Sequence, residues 1–482
     1  MRIILRNSVS LVVVGGADNL LPYNLMDTLR EYFSVKVKGA FFAQKRSKFA
    51  WDGRKYYLTE GGKLPTGFIP YLFEYLEDTD IPVDVVDERV NLIRFKPVFN
   101  DNIGDITLRT YQIPAVKALN NHITFRGQSY YFPSGVWDMA TNSGKTLAAS
   151  FLYHNLEGCY MLITINRVDV FKQLVKEFGQ QGDDIGVITS SRVDLKPITV
   201  AMAGTLYNKM KSVAFRKSMH VFNTLVVDEG HTAGGKQYSW VIKNLDHIGV
   251  RLIMSGTPMD QADETKALTV TGLGGKVLYK VTKKELMDMG VSKRALVKIH
   301  YCDSNLFWGE GYDKSYDAGV KFSQERLDEM FGIIQDNPNR SILISVYYKD
   351  HLEFLYEGLK SLPMVEAVHG EDPQRADKLE RFRLGDTHVL ISTEITTLGL
   401  NMPLINILIM AQGEKSKIAL KQWSGRAERA CEGEDSFELH DFYDVGQYIE
   451  EHSKKRIRVY REEGFDIEYD YVATPTGMSK KK

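Results

Sequence analysis

Two tandem parallel-sheet α/β domains behind a small α+β region are the architecture that this 482-residue sequence predicts. Three observations carry the prediction. Apolar strand-like runs alternate with amphipathic helical stretches in two separate series, and such alternation demands crossover connections and parallel sheets. Asn142-Ser143-Gly144-Lys145-Thr146 lies between a strand-like run and a helical one, where a phosphate-cradling loop belongs. Asp228-Glu229-Gly230-His231 directly follows the apolar Leu225-Val226-Val227, so its carboxylates emerge at the C-terminal edge of a strand.

Taken in order, residues 1–102 hold short strand-like runs (Ile3–Leu5, Ser10–Val14, Val35–Val37, Tyr56–Leu58) and helical stretches near Leu25–Phe33 and Tyr71–Glu77. This is the small α+β region. A first parallel-sheet domain is expected over 103–268, with strands at Gly135–Asp138, Tyr160–Ile165, Ile198–Met202, Thr224–Val227 and Arg251–Met254. Its helices are Ala115–Leu119, Thr146–His154 and Val168–Phe178. Residues 269–310, with Thr-Gly-Leu-Gly-Gly at 271–275, read as a linker region with local structure. The second domain, 311–482, alternates Ser341–Val346, helix Lys349–Leu359, Val365–Val368, helix Gln374–Leu384, Val389–Ile391, Ile405–Ile409 and helix Ile418–Ala430. It closes with strand Phe437–Asp444, a charged helix over Val445–Glu463 and a strand over Phe465–Val472. Lys454, Lys455, Arg456, Arg458 and Arg461 on that helix read as a solvated face.

Composition narrows the class. Hydrophobic residues make up 43% and charged residues 26%, as in ordinary globular proteins. No apolar run reaches the roughly 20 residues of a membrane helix. The three scattered cysteines, Cys159, Cys302 and Cys431, lack metal-ligand spacing and fit a reducing cytoplasm. A net charge of −1 gives no global sign of a polyanion partner. Local charge does: eight Lys/Arg fall between Lys36 and Lys63 against Asp52 and Glu60. They interleave with Phe41, Phe42, Phe49, Trp51, Tyr56 and Tyr57. Cations attract phosphates without regard to sequence and aromatics supply stacking surface, so Lys45, Arg46, Lys48, Trp51 and Arg54 are candidate nucleic-acid contacts. The alternative is a solubilising face over a small aromatic core.

The loop at 142–146 predicts a nucleotide site. Backbone N–H groups wrap the phosphates, Lys145 reaches the β/γ oxygens and the Thr146 hydroxyl ligates Mg²⁺. Met139 stands where the general pattern has its first Gly, and Asn142 replaces a further Gly; Asn tolerates left-handed backbone geometry. Asp228 would hold the metal and Glu229 would orient and deprotonate water. Upstream, in Leu108-Arg109-Thr110-Tyr111-Gln112, Gln112 can both donate to and accept from an adenine edge. Ser255-Gly256-Thr257-Pro258 ends an apolar strand with a hydroxyl pair suited to coupling the phosphate site to its surroundings. In Gln422-Trp423-Ser424-Gly425-Arg426-Ala427-Glu428-Arg429, Arg426 and Arg429 share one helix face and suit an arginine-finger role. Thr393 leads into Leu398-Gly399-Leu400-Asn401, a turn fit for phosphate or nucleotide contact.

In this order, over residues 105–445, these motifs resemble those of superfamily 2 helicases of the DExH type. The resemblance implies two RecA-like domains that sandwich ATP with Mg²⁺, the second supplying Arg426 and Arg429. It assigns nucleotide contact to Arg109, Gln112, Gly399 and Asn401, and coupling to His231, Ser255, Thr257 and Gln422. Nucleic-acid contact falls to Arg167, Gly204, Thr205, Ser345, His369 and Thr393. Asn401 departs from the Asp that many members carry, and Asn166-Arg167 replaces the usual Pro-Thr pair. Phe49-Ala50-Trp51-Asp52-Gly53-Arg54, followed by Leu64-Pro65-Thr66-Gly67, is similar to the N-terminal DNA-binding domain of phage UvsW-type branched-DNA helicases. That resemblance implies a cytoplasmic, ATP-dependent DNA helicase or translocase acting on forks and junctions in replication, recombination or repair, monomeric by default. An RNA helicase or remodeller, or a nucleotide-gated DNA clamp, would use the same motifs. A restriction-enzyme translocase subunit is disfavoured by the lack of a convincing nuclease cluster.

Overall fold

The computed structural model describes residues 1–14, 24–38, 40, 51–166, 171–172, 174–175, 178–179, 184–256, 264–292, 294–303, 311–393, 405–413, 436–474 and 477–480. They fall into two compact units, one of residues 1–140 and 144–281, the other of 141–143 and 282–482.

In the first unit a four-stranded sheet runs Lys63–Pro65, Val9–Val13, Arg2–Leu5, Asp84–Asp87. Helices Leu25–Tyr32 and Ile69–Glu77 flank it, and its core includes Ile3, Leu5, Val12, Leu29, Leu72 and Phe73. The hairpin His122–Phe125/Gln128–Tyr131 shares this core, with Phe125 stacked on Phe73 at 4.5 Å. The N-terminal region is therefore not a separate bead. Tyr57 OH donates to the Thr265 carbonyl at 2.6 Å and Lys55 Nζ to Thr269 Oγ1 at 2.9 Å, both on helix Glu264–Gly274. At Gly67 a Cβ would come within 2.2 Å of the Thr271 carbonyl oxygen, and at Gly272 within 2.7 Å of the Phe68 ring. Two glycine-bearing segments 200 residues apart thus meet backbone to backbone, which only Gly permits.

The first large sheet has eight strands in the order Val193–Asp194, Ile185–Ile188, Ile198–Met202, Met161–Ile165, Thr224–Val227, Val250–Ser255, Ser134–Met139, Val277–Val281. Every pairing except that of Val193–Asp194 is parallel. Thr224–Val227 and Val250–Ser255 are buried at every position, as strands covered on both faces must be.

The second unit has a seven-stranded, wholly parallel sheet ordered Val365–Val368, Val389–Ser392, Ile342–Ser345, Ile407–Met410, Ser436–Val445, Arg294–Asp303, Asp466–Tyr469. Alternate residues feed two cores. Leu343, Leu390 and Leu408 join one cluster, while Ile342, Ile344, Ile391, Ile407 and Ile409 join the other, following the two-residue period of a strand.

Most expected elements form within a residue or two of their anticipated bounds, and the α/β class with two parallel-sheet domains stands. The span 269–310 differs from a linker: Val277–Val281 edges the first sheet and Arg294–Asp303 lies inside the second. The reason is that Arg294–Asp303 alternates buried and partly exposed positions and carries a half-exposed Lys298 and a buried His300, so it lacks the apolar run of a buried strand. A second correction concerns Arg456. It is 1% exposed and sits in a buried ion network, whereas Lys454 and Lys455 pair at the surface with Glu450 and Glu451. Helices Val168–Phe178 (in part) and Ile418–Ala430 lie outside the described residues.

Candidate nucleotide site and nucleic-acid surfaces

Strand Ser134–Met139 runs into the turn 140–144 and then into the helix Lys145–Asn155. Asn142 and Gly144 adopt φ of 66° and 70°, so the chain curls back before the helix starts. A Cβ on Gly144 would lie 2.4 Å from Gln112 Nε2, so the glycine is required by close approach as well as by φ. Gln112 is buried; its Oε1 accepts from the Arg109 backbone N–H at 2.9 Å, and its Nε2 points to the Gly144 carbonyl at 3.4 Å. The structure thus sets Gln112 against the loop itself. Arg109 reaches the Tyr111 hydroxyl from Nη1 at 3.5 Å. Lys145 Nζ donates to the Met139 and Ala140 carbonyls at 3.0 and 3.2 Å, which draws the ammonium over the loop's inner curve. A helix N-terminus, two left-handed residues and a lysine within one turn form a cradle that suits an anion. Thr146 is the second residue of the helix, so its hydroxyl stands at the same end.

The acidic pair follows strand Thr224–Val227, and parallel pairing brings its exit to the same sheet edge as the loop, with Val250–Ser255 between them. The Asp228 N–H donates to the Thr164 carbonyl at 3.0 Å, and Asp228 Oδ1 accepts from the Glu229 N–H at 2.8 Å. Asp228 is buried. Glu229 is left-handed at φ 51°, ψ 50°, a conformation that costs a non-glycine residue about 1 kcal/mol or more. Gly230 must be glycine, since a Cβ there would lie 2.3 Å from the Ile253 side chain. His231 Nδ1 sits 3.3 Å from Glu229 Oε2 and 3.3 Å from Ser255 Oγ, which joins the acidic pair to the end of the neighbouring strand. Thr232 Oγ1 donates to the Glu229 carbonyl at 2.9 Å and accepts from Asn166 Nδ2 at 2.7 Å. Loop, acids, imidazole and hydroxyl therefore share one edge of one sheet.

Sequence reading missed two buried hydrogen-bond arrangements, one in each unit. Thr164 meets the Tyr238 hydroxyl at 2.6 Å beneath this edge, and burial pushes the Tyr238 phenol far above its ordinary value, so it stays protonated. Thr164 escaped notice because it lies in a strand that reads as uniformly apolar. The other is a clamp in the second unit. Three consecutive carbonyls, Ala411, Gln412 and Gly413, accept from Arg326 Nη2 (2.6 Å), Tyr316 OH (2.5 Å) and Arg456 Nη1 (2.7 Å).

Among the expected nucleic-acid contacts, Gly204 and Thr205 open helix Ala203–Lys209, at the end of Ile198–Met202 and on the same edge as Asp228. Ser345, His369 and Thr393 end or follow three adjacent parallel strands of the second sheet. Ser345, however, is fully buried, and its hydroxyl donates to the Ile409 carbonyl at 3.2 Å, so it ties two strands together. His369 Nδ1 accepts from the Glu371 N–H at 3.2 Å. In the basic region, Trp51 Nε1 donates to the Arg54 carbonyl at 2.8 Å and Arg54 Nε to Ser34 Oγ at 2.9 Å; both side chains are partly buried in a local turn. Lys45, Arg46, Lys48, Arg167, Thr257, Gly399, Asn401, Gln422, Arg426 and Arg429 lie outside the described residues.

Comparison with known proteins defines the class. Residues 105–260 match the family described as type III restriction enzyme, res subunit, and residues 324–431 match the helicase conserved C-terminal domain, together more than half of the chain. The DNA 3'-5' translocase XPB2 of Sulfurisphaera tokodaii is 22% identical over 394 residues, 71% of this chain and 82% of the relative. A fragment of an HsdR subunit of a type I restriction enzyme from Vibrio vulnificus superposes at TM-score 0.54 with 15% identity, covering 75% of this chain and 68% of that one. UvsW of bacteriophage T4 matches at TM-score 0.45 with 16% identity, over 97% of this chain and 98% of that one. The two large sheets are tandem RecA-like domains. The chain belongs to the superfamily 2 helicases and is an ATP-dependent nucleic-acid helicase.

Among the described residues, no helix is long and apolar enough to cross a membrane.

Proposed function

We propose that this helicase is a DNA translocase that works on forked or branched DNA, in replication, recombination or repair, with Mg²⁺–ATP as its fuel. The observation that carries the reading is the single sheet edge shared by the 142–146 loop, Asp228–Glu229 and the His231–Ser255 pair. The loop N–H groups and Lys145 would hold the phosphates, and Thr146 and Asp228 would hold Mg²⁺. That ion, when bound, neutralises charge developing on the phosphate oxygens. Glu229 orients the attacking water and takes its proton. His231 bridges Glu229 to Ser255, so a change at the hydrolytic carboxylate is passed to the next strand. Arg426 and Arg429 stabilise the transition state, and Gln422 and Thr257 couple it to the nucleic acid.

DNA as substrate is supported by the XPB2 relative, named as a DNA translocase, and by the family described from a restriction enzyme. Branched DNA is supported by the basic, aromatic-rich stretch from Lys36 to Lys63. ATPase and strand displacement should be measured in parallel on single strands, duplex, forks, four-way junctions and RNA. Forks and junctions should stimulate most. Stimulation by RNA exceeding that by every DNA would replace the reading with an RNA helicase, and hydrolysis without displacement or movement would replace it with a clamp.

A further inference from the structure

We propose that His300, Glu329 and Asp470 form a binding site for one divalent transition-metal ion of the zinc class, built into the second RecA-like sheet. The site is independent of the nucleotide chemistry. His300 lies on the strand Arg294–Asp303, Glu329 on the helix Gln324–Gln335, and Asp470 follows the strand Asp466–Tyr469. Asp470 is fixed: its N–H donates to the Ile299 carbonyl at 3.1 Å and its Oδ1 accepts from the Tyr301 N–H at 2.8 Å. Its other oxygen, Oδ2, stands 3.6 Å from His300 Nδ1, and Glu329 Oε1 stands 2.8 Å from the same nitrogen. One donor atom from each residue lies within 4.8 Å of the other two.

The imidazole itself points to a cation. His300 is 8% exposed, and Nδ1 has no hydrogen-bond partner of acceptable geometry among the described residues, despite the carboxylate at 2.8 Å. On the far side of the ring, Nε2 meets His440 Nδ1 at 2.8 Å, and His440 Nε2 meets Glu438 Oε2 at 3.4 Å. Glu438 in turn accepts from Lys298 Nζ at 2.5 Å and from Arg340. If His440 gave its Nδ1 proton to His300, its bare Nε2 would face a carboxylate. Attraction at every contact requires Nε2–H of His300 to donate to His440, and Nε2–H of His440 to donate to Glu438. That arrangement leaves Nδ1 of His300 facing two carboxylates, where attraction requires either a proton or a bound cation between them. A proton there can serve one acceptor. A dication serves all three donors, and two carboxylates with a neutral imidazole balance its charge.

The geometry agrees with the chemistry. Zinc bonds of about 2.0–2.2 Å at tetrahedral angles set donors ~3.3 Å apart, and the two measured separations from Nδ1, 2.8 and 3.6 Å, straddle that value. Mixed imidazole and carboxylate donors favour zinc over Mg²⁺ or Ca²⁺, which prefer oxygen throughout. A metal-bound imidazole that donates its other N–H to a polar neighbour is the usual outer arrangement of such sites, here supplied by His440 and Glu438. Glu329 and Asp470 are 26% and 31% exposed, which leaves room for a water as fourth ligand. Binding would pin a helix and the end of the sheet's edge strand to the strand that carries His300. On loading, any proton on Nδ1 leaves to solvent.

The test uses the full chain, nucleotide-free and stripped with chelator, titrated with Co²⁺ as a spectroscopic stand-in and with Zn²⁺ in thermal melts. One equivalent of Co²⁺ should give the strong visible absorption of a low-coordinate site, and Zn²⁺ should raise the melting temperature. Glu329→Gln and Asp470→Asn, side chains partly exposed and isosteric, should each weaken uptake by at least about tenfold, and the double variant should lose both signals. Asp228→Asn should keep them, which separates this site from the Mg²⁺ site. Failure of the wild type to bind one equivalent, or equal binding by the double variant, would overturn the proposal. A metal-insensitive melt with His300 titrating as an imidazolium would make the trio an ion pair and equally overturn it.

Discussion

Two acidic sites, one in each unit, show how differently a buried carboxylate can be held. In the second unit Asp441 and Asp444 are each 1% exposed or less and are met by guanidinium groups. Arg456 Nε contacts Asp441 Oδ2 at 2.9 Å, Arg326 Nη1 contacts Asp444 Oδ1 at 2.7 Å, and Tyr460 OH donates to Asp441 Oδ2 at 2.7 Å. Further guanidinium N–H groups, Arg326 Nη2 and Arg456 Nη1 and Nη2, reach the Ala411, Gly413 and Phe442 carbonyls. Burial raises the Asp444 pKa above its ordinary value, and the two arginines offset part of that rise. In the first unit Asp228 accepts from a backbone N–H, and Glu229, 26% exposed, faces an imidazole from a left-handed backbone. The first arrangement spends its charge on cohesion. The second keeps a carboxylate partly in solvent, on a strained turn beside a phosphate loop, as a group that must exchange protons and ligands requires.

The sharpest way to break this contrast is to change both sites. Glu229→Gln should lower DNA-stimulated ATP turnover by about 10²–10⁴-fold with nucleotide binding kept, read from steady-state rates and nucleotide titration. Glu229→Gly should abolish turnover while leaving denaturant stability equal or up to about 1 kcal/mol higher, because the left-handed strain is relieved. A loss of stability instead would make Glu229 structural. Arg456→Ala should cost about 3–5 kcal/mol in equilibrium unfolding, since it leaves Asp441 buried without its main cationic partner. A cost below 1 kcal/mol would remove the distinction between the sites.

Smaller effects sharpen the picture of what each unit relies on. Gly67→Ala drives a Cβ toward the Thr271 carbonyl and should cost about 1–3 kcal/mol, measured by chemical denaturation of the whole chain. Last comes pH. Burial, helped by the nearby Arg326, drives the His351 pKa down to about 3 from an ordinary 6.5. The native state therefore resists a proton that the unfolded chain accepts. Stability should be fully present above pH ~6.5 and decline below it, by up to ~1.4 kcal/mol per pH unit for this one group. His351→Leu should flatten that part of the curve; an unchanged acid limb would assign it elsewhere.

Much of the fold was legible. Helix Lys349–Leu359 and strands Ile198–Met202, Thr224–Val227 and Val365–Val368 fall at their expected bounds. The cradle at 142–146 and the acidic pair were equally clear, because short motifs with local φ and turn requirements announce themselves. Less visible was anything whose meaning depends on a distant partner. Arg294–Asp303 hid behind its polar residues, which face Glu438, His440 and Asp470 from across the chain. Arg456 looked like one more cation on a solvated helix until Asp441 and Asp444 came beneath it.

By itself, then, the sequence determined the order of strands and helices, the phosphate loop and the acidic turn, since periodicity and backbone preference act over a few residues. Tertiary structure decided which charges are buried, which glycines touch and which histidine meets two carboxylates. Those outcomes depend on desolvation and close contact between segments far apart in the chain, and nothing in either segment alone carries that information.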